Sequence, residues 1–345
     1  MATSRLDYLE LARPHEISRD ALVANIDAHV KVEVDNYWSK HAFTEFMQRQ
    51  ENIKSVGGAE VTVPINLGPA NTGGTFRGNS KLRNFPKDHR DMVKMPWSNY
   101  YAALSRNYDQ QTENMGAEAL FDLAEGDVKS AFETIAENFG YVLWDNGTRD
   151  YGDGVINGLT GLPAAVDDGT TYPTYAGVTW IASISVPAGS PDYSKWAANL
   201  YASAGYIDLS DIEAANILCA DGSSQDEEMP NLYVTTKAIY RDLKKQASAK
   251  TFGKPEQIAD WPHTRHFSWD GSMIIYDSFC PAGEMYGLTT KYWKLEVHSK
   301  GHFVRPGWLR PVDQMAEVDY IVLKTRLYCT KRKAQVKWTG ITNGL

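Results

Sequence analysis

The spacing of apolar residues changes period several times along the chain, and each change marks a predicted element. From 18 to 50 the period is helical but broken. Ser18 can cap, Leu22, Ile26 and Val30 recur at four-residue spacing, and an aromatic stripe follows at Tyr37, Phe43, Phe46 and Met47. "AEVTVPINL" (59–67) then switches to alternation, and "MVKMPWSNYYAALSRNY" (92–108) reads as a second strand. The two form a hairpin whose loop far exceeds the usual ~2–5 residues, and loops of that length are commonly functional. Pro64 and Pro96 place both arms near a sheet edge, because proline cannot donate to a central ladder.

The strongest periodic signal predicts a helix over 115–143. Phe121, Val128, Phe132, Ile135, Phe139 and Val142 follow the i, i+3, i+4 rhythm, with Leu120, Ala124 and Ala131 beside them. At about 1.5 Å per residue it approaches 40 Å in length. "WDNGTRDYGDG" ends it with turn chemistry. From 155 to about 310 strands and helices alternate: a strand over 178–186, then "LSDIEAANILCA" with a capping box of Ser210 and Glu213. An acidic loop (221–230) leads to a strand at "NLYVTT" and a helix bearing Ile239, Leu243 and Ala247. "SMIIYDSF" and "WKLEVHS" are further strands. Near the C-terminus Ile321, Leu323, Leu327 and Cys329 alternate with Val322, Lys324, Arg326 and Tyr328, and "KRK" (331–333) turns this strand into a hairpin with "AQVKWTGI". No tandem repeat or low-complexity linker interrupts the pattern, so the parts form one interleaved architecture.

Composition narrows the class. The 345 residues can bury a large core, and 43% apolar with 23% charged residues is an ordinary globular balance. Ten Trp and nineteen Tyr suit extensive interfaces. A net charge of −8 argues against wholesale coating of nucleic acid. The three cysteines, Cys219, Cys280 and Cys329, are far apart and form no metal knuckle or disulfide framework, so they are expected reduced and structural, with Cys329 facing a sheet core. Neither a secretory leader nor a membrane-spanning run stands out, and a soluble chain made in the cytosol is expected.

Candidate chemistry is sparse. His263 and His266 have a metal-compatible spacing, but Pro262 and the nearby Trp residues indicate a loop, and a surface or interface position explains them better. "DNGTRDYGDG" (145–154) lacks the ligand register of a calcium loop. Asp226, Glu227 and Glu228 read as a solvated run. There is no G-x-S-x-G elbow and no recognisable cysteine nucleophile, so the sequence offers no catalytic, cofactor or metal site. The exception to the acidic balance is "GGTFRGNSKLRNFPKDHRD" (73–91), with five Lys/Arg against two Asp. It lacks the order of a phosphate loop. Arg77, Lys81, Arg83, Lys87 and Arg90, with Phe76 and Phe85, could track a nucleic-acid backbone, but an acidic protein partner suits five charges on one loop of an acidic protein better.

The order of these parts resembles the major capsid protein of tailed bacteriophages, with the Hong Kong 97-type fold. Asn114-Met115-Gly116 leads into the spine-like helix, "DNGT" and "INGLTGLPAAV" (156–166) follow it, and "YAGVTWIA" enters a first axial-domain strand. "IIYDSFCPAGEMYGLTTKYWKLE", with Asp277 and the Pro281–Gly283 turn, and the closing "RPVDQMAEVDYIVLKTRLYCTKRKAQVKWTGI" complete the match from about 59 to 342. The resemblance implies an α+β capsid fold: an N-terminal arm (1–58), an extended hairpin or E-loop (59–112), a peripheral domain holding the spine helix (113–154 and 305–345), and an axial domain (155–304). It implies a shell protein, not an enzyme, that assembles with itself as hexamers and pentamers around double-stranded DNA held weakly and non-specifically. A separate scaffolding protein, a portal and an optional decoration protein would be partners, with no cofactor and no membrane. The virion would be its location, after assembly in the host bacterial cytoplasm.

On this reading Arg77, Lys81, Arg83, Lys87 and Arg90 form an E-loop tip that meets acidic residues of a neighbour's spine helix, Glu118, Asp122, Glu125 and Glu133, with Asp127 beside them. Nothing marks Lys81 or Lys87 as reactive, so the covalent cross-linking of the fold's namesake is not carried over. Two alternatives share some signals: an encapsulin-type cargo compartment, which has the same fold, and a hydrolase with an aromatic-lined cleft.

Overall fold

The longest apolar stripe in the sequence becomes the longest helix, Ala117–Leu143. The computed structural model describes residues 26–30, 33–34, 37–38, 41–66, 75, 77–78, 80–81, 90–107, 117–147, 160–172, 174–175, 178–179, 196–202, 204–220, 228–250, 266–311 and 316–343; at 66, 90–91, 106–107, 117–124, 174, 178–179 and 249–250 the backbone alone is described. Ser18, Leu22, Arg83, Lys87, Asp226, Glu227, His263 and most of the strand expected at 178–186 lie outside these residues. The chain divides into two units. The first comprises Met1–Lys40, Tyr100–Phe139 and Lys300–Leu323, the second His41–Asn99, Gly140–Ser299 and Lys324–Leu345.

In the first unit, Val128, Ala131, Phe132, Ile135, Ala136 and Phe139 of the long helix are all buried, as their spacing requires. They pack around Tyr37, whose ring lies 4.8 Å from Trp38, 4.8 Å from Phe303, 6.3 Å from Phe139 and 6.4 Å from Phe132, all edge-on. Such aromatic pairs add about 0.5–1.5 kcal/mol each beyond the burial of their area. The Tyr37 hydroxyl donates to the Ile135 carbonyl at 3.5 Å, and burial pushes its pKa well above the ordinary phenol value. Residues 316–323 of the long strand Ala316–Cys329 run beside 100–107 of Ser98–Asn107, with the Tyr101 and Tyr320 rings 6.1 Å apart. Arg305 joins these pieces to the N-terminal segment. Its Nε and Nη2 donate to the fully buried Asp319 at 2.8 and 2.6 Å, and its Nη1 reaches Asp27.

The second unit holds a six-stranded sheet. Asn199–Tyr201 is parallel to Val336–Trp338, which is antiparallel to Met285–Leu288; Leu232–Thr235 follows antiparallel, then Ser272–Tyr276 parallel and Phe267–Trp269 antiparallel. The register puts Tyr233, Phe267, Ile274, Met285, Val336 and Trp338 on one face. Two helices, Leu209–Cys219 and Lys237–Lys250, cover that face through Leu209, Ile212, Ala215, Cys219, Ile239, Leu243 and Ala247. Gly287 is required within it: a Cβ there would lie 2.5 Å from the Tyr233 and Val336 side chains. Asn216, on the buried side of the first helix, accepts from the Tyr233 hydroxyl at 2.6 Å and donates to Asp270 at 2.9 Å. Beside this sheet in sequence, Ile53–Val56 runs parallel to Trp293–His298, which pairs with 325–329 of the long strand.

Several sequence expectations need correction. The strand expected over 92–108 is two, Arg90–Pro96 and Ser98–Asn107. Trp97 divides them, donating its Nε1 to the Gly58 carbonyl at 3.0 Å and setting its ring on His298. The helix expected to be capped by Ser210 starts two residues earlier. Asp208 accepts from the Ser210 and Asp211 amides at 2.7 and 3.2 Å, and Asp211 accepts from the Asp208 amide at 2.8 Å, so the capping box is Asp208–Asp211. No C-terminal hairpin forms: Ala316–Cys329 and Val336–Trp338 belong to different sheets. The turn between them drives Arg332 into the interior, where its guanidinium donates to the carbonyls of Ala165 (2.7 Å), Asp167 (2.9 Å) and Ala164 (3.3 Å). The Tyr175 and Trp196 rings lie 4.9 and 5.7 Å from it. Arg326 and Tyr328, which alternate with the apolar positions of the long strand, are buried as well; Arg326 donates to Thr160 at 3.0 Å. Glu228 is not simply solvated but paired with Lys331, and His266 is buried, not a surface histidine.

Candidate intersubunit surfaces

The extended hairpin is built from strict alternation. Glu60–Asn66 and Arg90–Pro96 pair antiparallel, with Val61 opposite Met95, Val63 opposite Val93 and Pro64 opposite Met92. Val61, Ile65, Val93 and Met95 are buried, while Thr62, Pro64, Met92 and Lys94 are exposed, Met92 to 59%. One face of the ribbon is therefore satisfied and the other is open.

Of the five cations expected at the tip, Arg77 and Lys81 are described, and both are exposed. A tight turn presents Arg77: the Ser80 hydroxyl donates to the Arg77 carbonyl at 2.7 Å, and Gly78 adopts φ +56°, a left-handed conformation that favours glycine. Arg90 closes the hairpin ladder opposite Asn66, with only its backbone described. Arg83 and Lys87 lie outside the described residues.

The acidic partners are expected on the long helix, which in the first unit exposes Lys129, Ser130, Glu133, Thr134 and Glu137. Glu133 is on this outer face. Glu125 is half-buried and already engaged, 3.9 Å from His29 and 3.8 Å from Lys129. Such partly exposed pairs contribute only ~0.2–1 kcal/mol each and exchange readily for other partners. Glu118 and Asp122 sit in the first turns of the helix, where the backbone alone is described.

The reactive side chains are held inactive. Burial pushes the Cys219 and Cys329 thiols up to about 12, and the Cys280 thiol well above 9.0, so none carries a thiolate at neutral pH. All three are free and buried. Among the described residues no group of three or more His, Cys, Asp or Glu could hold a metal ion, and no helix is long and apolar enough to cross a membrane. Sequence reasoning missed Met92 and Lys94 as exposed ribbon positions, although the alternation on either side of Val93 was sufficient to find them.

No protein-family model and no curated protein sequence matches the chain. Its fold does match solved capsids. It is similar to the chain in the capsid asymmetric unit of cyanophage A-1(L), with a TM-score of 0.62 and 12% identity over 85% of this chain and 91% of that one. The capsid of a native GTA particle gives a TM-score of 0.54 and 11% identity, over 86% and 90% of the two chains. That of an empty GTA particle gives 0.51 and 10%, over 86% and 89%. The chain therefore has the α+β fold of tailed-phage capsid proteins, the class expected from the order of its parts.

Proposed function

We propose that this protein is the major capsid protein of a tailed phage and that its copies close into an icosahedral head shell around double-stranded DNA. The observation that carries the reading is the extent of the match: 85% of this chain against 91% of the cyanophage capsid chain. In this reading residues 59–112 are the E-loop, 113–154 and 305–345 the peripheral domain, 155–304 the axial domain, and 1–58 the N-terminal arm. The exposed Arg77 and Lys81, with Arg83, Lys87 and Arg90, lie over a neighbour and meet acidic residues of its long helix, Glu133 and Glu118, Asp122 and Glu125 among them. Each exposed pair is weak, so errors can reverse, and repetition over a shell makes the sum large. A scaffolding protein, portal and decoration protein act as separate partners, and assembly takes place in the host cytoplasm. An acidic chain grips duplex DNA weakly, which suits a genome that must be packed and later ejected.

Electron microscopy of the expressed protein tests this directly. Uniform hollow shells are expected, and deletion of 70–90 is expected to abolish them while leaving a folded subunit. A folded protein that stays monomeric under every assembly condition would overturn the proposal. Shells that co-purify with a specific protein cargo would favour the compartment alternative instead.

A further inference from the structure

Helix Leu209–Cys219 is apolar on two sides. Its inner side covers the sheet, whereas its outer side holds Ala214, Ile217 and Leu218 in solvent, Ile217 to 70% and Leu218 to 49%. Large apolar side chains exposed together on a helix already packed on its other side suit a contact with a further protein surface. The edge strand Asn199–Tyr201 extends this surface: Asn199 donates to the Cys219 sulfur at 3.5 Å, and the 38%-exposed Tyr201 ring stacks on Trp338 at 5.5 Å. Around the apolar centre the charges are acidic. Asp208 and Asp211 stand at the helix start, and Glu213 accepts from the Trp269 indole at 3.1 Å.

The second helix on the same sheet face, Lys237–Lys250, has the opposite character. Lys237, Arg241, Lys244 and Lys245 recur at i, i+4, i+7 and i+8 along its outer side. Among the described residues none of the four is in an ion pair; Lys237 and Lys244 lie over the Tyr276 and Tyr240 rings at 6.0 and 5.8 Å. Both outer sides point away from the sheet that the helices share, so neither can turn to meet the other within one chain. A second copy can supply the match. Two different patches that complement each other make a head-to-tail contact, and repeating it round an axis closes a ring.

We propose that the outer side of Leu209–Cys219 docks on the basic side of Lys237–Lys250 of a second copy. The inference rests on the shell reading and names a contact within it other than the E-loop. Ile217 and Leu218 form the desolvated centre, covered by the aliphatic stems of Arg241 and Lys245. Asp211 and Glu213 face the cationic rim, where charge sets register and the rate of encounter more than affinity.

Shells assembled from an equal mixture of isotopically light and heavy chains, treated with a zero-length carboxylate–amine cross-linker, test the contact. Light–heavy links are expected between Asp211 or Glu213 and Lys237, Lys244 or Lys245. An Ile217→Ser, Leu218→Ser variant is expected to melt with the wild type, because both side chains are exposed, and to need about tenfold more protein to assemble. If mixed links join other segments, or the variant assembles at the wild-type threshold, the docking is wrong while the shell reading stands. Links from Asp211 or Glu213 to a different protein in native particles would overturn it as well. A wild-type chain that is folded but never assembles would remove both.

Discussion

Arg332 provides the sharpest test of how the interior is held. The residue is 1% exposed and, among the described residues, makes no ion pair; three backbone carbonyls and two aromatic rings surround its guanidinium. Burial pulls its pKa below the ordinary guanidinium value, but the group remains cationic at neutral pH. Arg332→Ala leaves the Ala164 and Ala165 carbonyls without this donor, whereas Asp167 keeps the Ala198 amide at 3.0 Å. Two orphaned acceptors cost about 1–3 kcal/mol each, and the lost ring contacts add about 1–2 kcal/mol. Relief from burying a cation offsets part of this, leaving a net loss of about 3 kcal/mol. For a unit of this size that corresponds to roughly 6–12 °C in Tm, read by circular dichroism. The informative variant is Arg332→Lys. It keeps the charge but loses the planar fork that reaches three carbonyls between two rings, so it is expected to melt well below wild type. A Lys variant within about 2 °C of wild type would refute the reasoning, because charge alone would then suffice.

Two further outcomes follow from close packing and from titration. Gly161 sits where a Cβ would lie 2.3, 2.5 and 2.6 Å from the carbonyl oxygens of Asp145, Leu143 and Val142, all backbone atoms. Gly161→Ala is therefore expected to cost at least about 3 kcal/mol, seen as a lowered Tm or loss of soluble protein; an unchanged melt would contradict the geometry. The buried thiols ionise near 9.0 in the unfolded chain but at about 12 when folded, so between those values the unfolded chain binds fewer protons and stability falls as pH rises. Tyr175, pushed up to about 12 from 10.0, acts in the same direction. Melts should be level up to about pH 8.5 and fall above about pH 9, with a shallower fall in Cys329→Ala; a level profile to high pH would count against buried thiols.

How much of this could be read from residues alone depended on the range of the interaction. The long helix was legible because Val128, Phe132, Ile135 and Phe139 all face one core, so its period survives folding intact. The hairpin ladder was legible for the same reason with a period of two. Errors arose where a partner was distant in sequence. The strand after Arg332 looked like a hairpin return, but its neighbours are Asn199–Tyr201 and Met285–Leu288. The burial of Arg326 could not be read from its strand, because its acceptor, Thr160, lies far back along the chain. Asp208 and Ser210 are both good capping residues, and only the tertiary burial of Leu209 decides between them. The proposed intersubunit contacts were the least legible, since half of each such surface would belong to another molecule. The basic run 73–91 could be found as a charge anomaly, while Ile217 and Leu218 became conspicuous only when their helix was seen to cover the sheet with its other side.

The position of Val336–Trp338 has a bearing on biosynthesis. This strand lies inside the six-stranded sheet, so the sheet stays divided until residues 336–338 have left the ribosome. The first unit likewise waits for Lys300–Leu323, although its long helix is made much earlier. A nascent or prematurely terminated chain thus exposes an unfilled gap between strands and has no finished surface to offer a neighbour. Topology here acts as a checkpoint on translation, ahead of any control that assembly itself could exert.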